Sequence, residues 1–78
     1  MEIKEIIGQT WDGDNTTISY PSGYDANNIR VLSYEINDPT TWTGEFHYKV
    51  VSAGIRIYYE DSPQYHYRLV RIIAMKMP

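Results

Sequence analysis

The sequence predicts an all-β domain, a small antiparallel β-sandwich or barrel of five to six strands that spans residues 1–78. Segments rich in β-branched and aromatic residues recur roughly every 10 to 15 residues, and turn residues separate them. No segment of convincing length shows the apolar period of a helix. The final segment is apolar on both faces from Leu69 onward, which predicts a strand in the middle of a sheet.

The first half of the chain predicts three strands. Residues Met1–Ile7 fit either a helical turn or a short strand, and we favour the strand. The turn Asp12–Asn15 contains Asp-Gly, a common source of positive φ angles, and leads into a strand over Thr16–Tyr20. A Pro-Ser-Gly turn follows, and the strand Ile29–Ile36 is expected to place three apolar residues on one face: Leu32, Tyr34 and Ile36.

The second half predicts three more strands. Residues Thr43–Val51 alternate between two faces, the pattern of a sheet with one side in a core: Phe46, Tyr48 and Val50 against Glu45, His47 and Lys49. The next strand, Ile55–Glu60, is expected to turn inward Ile55, Ile57 and Tyr59. The final strand, Tyr65–Met77, needs a core on one face and a second cover on the other. On it, the candidate oligomer-interface residues are Leu69, Ile73 and Met75.

A chain of 78 residues has little stability to spare, because a domain of this size buries only roughly 60 to 65% of its unfolded surface. Small domains gain support from disulfides, a structural metal or oligomerisation. The chain has no cysteine, which excludes disulfides and thiolate metal sites. We therefore expect a homo-oligomer, with a trimer favoured.

Charge and hydropathy exclude several classes of partner. The net charge of −3 disfavours nucleic acid, which is held mainly through phosphate contacts. No apolar run approaches the ~20 residues that span a bilayer, and no secretion signal is recognisable. We expect a soluble protein with neither nucleic-acid nor membrane partners.

Catalytic and metal sites are not expected. The oxygen-bearing turn Asp12–Asn15 lacks the later ligands of an EF-hand, so we interpret it as a plain turn. His47 and His66 are the only histidines, and no nucleophile motif accompanies either, so solvated strand histidines are the better interpretation. We expect no catalytic residues, no metal and no cofactor, and therefore no enzyme.

The aromatic residues are the strongest functional signal, with eight Tyr and two Trp beside one Phe. Trp11 and Trp42 each lie beside a turn, where a large ring is hard to bury, and with Tyr24 they are our candidate binding residues. Such rings stack on sugars or anchor protein interfaces. The alternative is that both indoles cap the ends of the core. Arg68 and Arg71 interrupt the final strand. An arginine at an interface could pair with Glu35 or Glu45, but a solvent-facing arginine is the better interpretation.

Several stretches together resemble the small β-domains at the ends of bacteriophage tail-fibre, baseplate and similar minor structural proteins. In that group a strand runs into a Pro-Ser-Gly turn and the chain closes with a Tyr-Arg and apolar strand that ends in Met-Lys. The matching stretches here are Thr16–Tyr24, Asn28–Ser33, Gly54–Ile57, Tyr67–Val70 and Met75–Met77. The resemblance implies a trimeric, mostly β, virion-associated module that attaches to a host-surface glycan or protein or to another virion part.

We therefore expect a non-enzymatic binding and assembly module of the phage structural, receptor-binding type. One alternative is a small acidic phage inhibitor that blocks a host enzyme or defence complex by mimicking nucleic acid. The carboxylates are scattered over turns and strands, which weakens that alternative. A small hydrolase, the third possibility, lacks a recognisable catalytic constellation.

Overall fold

The computed structural model describes residues 2–38, 41–43, 47–59 and 63–78, and these form the predicted antiparallel β-sandwich. One turn of 3₁₀ helix, Pro63–Tyr65, precedes the last strand. The strands are β1 (Glu2–Gln9), β2 (Asn15–Ile18), β3 (Ile29–Asp38), β4 (Thr41–Thr43), β5 (His47–Val51), β6 (Gly54–Tyr58) and β7 (Leu69–Lys76). Seven strands are present among the described residues where five to six were expected, because the predicted strand Thr43–Val51 is represented by β4 and β5.

The strands form two sheets. One has four strands in the order β1-β7-β3-β4, and the other has three in the order β2-β6-β5. Every paired neighbour is antiparallel. The last strand, β7, lies between β1 and β3, as its two apolar faces predicted.

The core lies between the two sheets. The four-stranded sheet contributes Val70, Ile72 and Ala74 from β7, each at most 1% exposed. From the other sheet, Ile55 and Ile57 are equally buried, which confirms the predicted inward face of that strand. Together with Ile36 at 0% exposure, these side chains make a dense aliphatic centre whose burial favours the folded chain.

The predicted alternation along β3 is wrong at one point. A register shift between Val31 and Ser33 marks a β-bulge, which adds one residue to the strand. The extra residue changes which side of the sheet the following side chains occupy. Ile29 and Val31 therefore pack at the core, together with Tyr34 and Ile36, whereas Leu32 is 47% exposed.

The final strand begins later than predicted, at Leu69 rather than Tyr65. The 3₁₀ turn Pro63–Tyr65 includes Tyr65. Tyr67 has a φ of 58°, which no extended strand allows. The segment before β7 is therefore an irregular loop and not part of the strand.

The alternating pattern predicted for Thr43–Val51 is only partly testable. Phe46 and Glu45 lie outside the described residues. Val50 packs on the core and both His47 and Lys49 are exposed, as expected. Tyr48 lies on the core side with its ring centroid 4.8 Å from that of Tyr34, but it is 37% exposed rather than buried. Within the described part of the chain, no helix is long and apolar enough to cross a membrane.

Candidate functional site

The four-stranded sheet has an outward side that no element of the described chain covers. We call it the outer face, and it comprises every second side chain of the sheet, on the side opposite the core. Strand pairing places on it Ile3, Glu5, Ile7 and Gln9 of β1, Leu69, Arg71, Ile73 and Met75 of β7, and Arg30, Ser33 and Glu35 of β3. The second sheet packs on the other side.

The outer face exposes large apolar side chains in the middle of a sheet. Ile3, Ile7 and Leu69 are 57%, 55% and 51% exposed, and Ile73 and Met75 are half-buried. Scattered exposed apolar residues are ordinary, but a contiguous apolar sheet face marks an interaction surface. The three predicted interface residues therefore lie together on one uncovered face.

An ion pair and an indole crowd one part of the outer face. The Arg71 guanidinium lies 3.0 Å from the Glu35 carboxylate, and its Cζ atom lies 4.2 Å from the ring centroid of Trp42. Both charged side chains are about one-third exposed, so the ion pair adds little stability by itself. The contact with Arg71 holds Trp42 against the outer face. The ion pair between Arg71 and Glu35 is formed within one chain.

The structure separates the three candidate binding aromatics. β1 and β3 both run antiparallel to β7, so the turns after them share one end of the sheet. Trp11 follows β1 and Trp42 pairs with Asn37 near the end of β3, so the two indoles lie toward that end. Tyr24 precedes β3 at the opposite end, where the Lys76 Nζ atom lies 6.0 Å from its ring centroid.

Tyr24 is a core residue, which corrects its placement at a binding rim. Its side chain is only 6% exposed, and its hydroxyl has no hydrogen-bond partner among the described residues. Burial raises the pKa of the Tyr24 phenol, and the nearby Glu2 carboxylate raises it further. A ring buried in this way is not available to a ligand.

Trp11 instead has a neighbour that the sequence did not single out, Tyr67. Their ring centroids are 6.0 Å apart with an interplanar angle of 88°, and the two side chains are 53% and 58% exposed. We call this pair the aromatic corner. Sequence reasoning missed Tyr67 because the alternating pattern assigned it to a regular strand.

Thr10 fixes the backbone beneath the aromatic corner. It is fully buried, its Oγ1 atom donates to the Tyr65 carbonyl, and it accepts a hydrogen bond of 2.9 Å from the Arg68 amide. Its own amide donates to the Arg68 carbonyl over 2.8 Å. One threonine thus joins the loop after β1 to the loop before β7.

Tyr59, which directly follows β6 in the three-stranded sheet, provides a second anchor for the loop after β1. Its hydroxyl accepts a hydrogen bond from the Trp11 amide at 3.3 Å and donates to the Trp11 carbonyl at 3.0 Å. The same hydroxyl lies 2.7 Å from Thr16 Oγ1. The main chain of Trp11 is therefore held on both sides while its indole faces solvent.

The two histidines occupy different places in the described ranges. His66 Nε2 donates to the Gly13 carbonyl at 3.0 Å, and its ring packs against Tyr59, so it supports the loop. This places His66 in a loop rather than on a strand, whereas His47 is exposed on β5. Residues 12–14 form a bend, and no group of three metal-binding side chains is found among the described residues.

No family model matches this chain, and no curated protein or solved structure is significantly similar to it. The tail-fibre resemblance therefore stays a prediction, and the case for function rests on the two surfaces described above.

Proposed function

We propose that this chain is a non-enzymatic binding and assembly module that associates with other copies of itself through the outer face. The observation that carries the proposal is the group of large apolar side chains that β1 and β7 leave uncovered on the outer face. Covering Leu69 and its neighbours would remove apolar surface from water, worth about 25 cal/mol for each Å². This is the second cover that a strand apolar on both faces requires.

Charge favours another copy as the occupant. The outer face carries two acidic residues, Glu5 and Glu35, and two basic residues, Arg30 and Arg71. It is therefore neutral, although the whole chain has a net charge of −3. Two copies approaching through other surfaces would bring excess negative charge together, whereas the outer face adds no net repulsion.

The outer face is also large enough. β1 and β7 have eight residues each and β3 has ten, which at about 3.4 Å per residue and about 4.8 Å between strands gives roughly 400 to 500 Å² per copy. Two such faces together cover about 800 to 1,000 Å², the lower end of the size of specific interfaces. An interface of this size fits weak, reversible association.

The sheet edge is a poorer surface for association. β1 is an edge strand, and on its inward side Glu2 and Lys4 are exposed charges near the rim. Inward-pointing charges on an edge strand oppose the addition of a further strand. Face-to-face packing therefore fits this sheet better than edge-to-edge pairing.

The biological setting that we propose is a phage structural assembly of the tail-fibre type. The sequence resemblance implies three copies in that assembly, whereas two outer faces packed directly on each other would form a dimer. The support for this setting is the sequence resemblance together with a surface suited to self-association. The acidic-inhibitor alternative gains no support from the outer face, because that surface is neutral.

Sedimentation equilibrium at micromolar concentrations tests the proposal. We expect the wild type to associate, and Leu69→Ser or Ile7→Ser to raise the dissociation constant at least about tenfold, since about 1.4 kcal/mol of lost burial gives that factor. Tyr58→Ser, on the outward side of the three-stranded sheet, is the matched control and should associate like the wild type. A wild-type monomer throughout this range would refute the proposal, and a dimer would refute the trimer.

A further inference from the structure

The aromatic corner lies beyond the paired ends of β1 and β7, in the loops that follow and precede those strands. We propose that it binds a methylated ammonium cation, such as the quaternary ammonium of a choline group. The argument rests on the geometry of the two rings, on how the loops hold them and on the charges beside them.

Two rings at 88° bound a corner rather than a stack, so a compact ligand seated there contacts both rings. The negative faces of indole and phenol rings attract cations, and Trp is the strongest partner of this kind. A methylated ammonium suits such a site because it is weakly hydrated and its methyl groups fill the space. Trp11 and Tyr67 are each more than half exposed, so neither ring is closed off by the described chain.

The corner is built before any ligand arrives. Hydrogen bonds hold the loop after β1 at Thr10, at both sides of Trp11 and at the Gly13 carbonyl. The Asp14 carbonyl also accepts from the Tyr59 amide at 2.8 Å. Preorganisation of this kind removes the cost of ordering a loop on binding.

Tyr67 adds an independent observation. It is the only non-glycine residue with a positive φ among the described residues, at 58°. The left-handed conformation is unfavourable for a residue with a Cβ atom, and such backbone strain concentrates at binding sites. The strained backbone presents a solvent-exposed ring beside Trp11, rather than placing that ring in the core.

Local charge favours a cation. Asp12 and Asp14 are exposed on the same loop as Trp11. The basic group nearest in sequence to Tyr67, Arg68, is half-buried and donates from Nε to the Gln64 carbonyl at 3.1 Å. His66 donates from Nε2 to the Gly13 carbonyl. The loop that carries Trp11 thus contributes two exposed carboxylates, whereas the guanidinium next to Tyr67 in sequence is engaged by a backbone carbonyl.

The test compares two ligands of equal shape, choline and its uncharged analogue 3,3-dimethylbutanol, with methyl glucoside as a third ligand. The ¹⁵N-labelled protein has two indole N–H signals, which a Trp42→Phe variant assigns. We expect choline to shift the Trp11 signal and leave the Trp42 signal in place. Since cation–π attraction to two rings is worth about 1 to 2 kcal/mol, choline should bind about fivefold to thirtyfold more tightly than the alcohol.

Three variants locate the site. Trp11→Leu should abolish the choline response, and Asp12→Asn should weaken choline binding without changing the affinity for the alcohol. Leu69→Ser, which disrupts only the outer face, should bind choline like the wild type, so this inference and the proposed self-association fail separately. Equal affinity for choline and the alcohol, tighter binding of methyl glucoside, or no response of the Trp11 signal would each overturn the inference.

Discussion

Tyr20 and Tyr24 differ in whether their hydroxyl groups are hydrogen-bonded. The Tyr20 hydroxyl donates to the Val51 carbonyl and so links the loop after β2 to β5. The Tyr24 hydroxyl is buried without a partner among the described residues. A buried polar group stabilises a fold when it is paired and costs free energy when it is not.

Removing these hydroxyls should therefore have different effects. Tyr20→Phe should lower the free energy of unfolding by about 1 kcal/mol, which for a domain of this size lowers the melting temperature by roughly 4 to 8 °C. Tyr24→Phe should leave the melting temperature unchanged or raise it. Thermal unfolding followed by circular dichroism measures both, and a larger loss for Tyr24→Phe than for Tyr20→Phe would contradict this assignment.

Because the backbone at Tyr67 is strained, we expect the glycine variant at this position to be more stable than the alanine variant, the reverse of the usual order. Glycine adopts a φ of 58° without steric cost, so Tyr67→Gly should be more stable than Tyr67→Ala by about 1 kcal/mol. Tyr48, in the regular strand β5, is the matched control, where glycine should be the less stable of the two. Urea denaturation of the four variants gives both differences, and the same order at both positions would show that Tyr67 is unstrained.

At the scale of elements, the pairing of β2 with β6 depends on a glycine. Ile18 pairs with Ile55, and the preceding residue, Gly54, passes close to the Ile18 main chain. A Cβ atom at Gly54 would lie 2.2 Å from the Ile18 carbonyl oxygen, closer than two such atoms can approach. Because the obstacle is backbone, a rotamer change cannot relieve it.

Gly54→Ala should consequently lower the free energy of unfolding by at least about 3 kcal/mol, a large share of the stability of a small domain. Gly13→Ala is the control, since Gly13 also has a positive φ, of 104°, but a Cβ there meets nothing within 4 Å. That variant should lose only about 1 to 2 kcal/mol from backbone strain. Comparable losses in the two variants, measured by chemical denaturation, would mean that the β2–β6 contact is looser than described.

At the scale of the whole molecule, self-association links stability to concentration. If copies cover one another's outer faces, association favours the folded state, so the melting temperature should rise with protein concentration. Calorimetry from about 10 μM to about 1 mM should show this rise for the wild type and a much smaller one for Ile7→Ser. A constant wild-type melting temperature would argue against assembly through the outer face.

Alkaline pH should destabilise the whole fold. Burial raises the pKa of Tyr20, with a further contribution from Asp25, and burial and Glu2 raise that of Tyr24. Above a pH of about 10 the unfolded chain loses these protons before the folded chain does, so stability falls as pH rises. Denaturation midpoints at pH 8 and pH 11 check the decline, and the double Tyr20→Phe, Tyr24→Phe variant should show a smaller one.

The sequence by itself determined the class of fold and the position of its central strand. Periodic apolar residues, turn residues and the two apolar faces of β7 are local or composition-based signals, and an extended chain converts them directly into sheet faces. The same periodicity identified Leu69, Ile73 and Met75 as members of one surface. These inferences needed no knowledge of how the strands pair.

Only the tertiary structure decided which aromatic residues share a surface. The bulge after Val31 changes the exposure of Leu32, and no simple alternation reveals such an insertion. Tyr24 is buried and Tyr67 exposed because of the loops that carry them and the elements that pack nearby. The aromatic corner depends on two contacts, between Thr10 and Arg68 and between Tyr59 and Trp11. Each joins residues that are far apart in the chain and become neighbours only when the strands have paired.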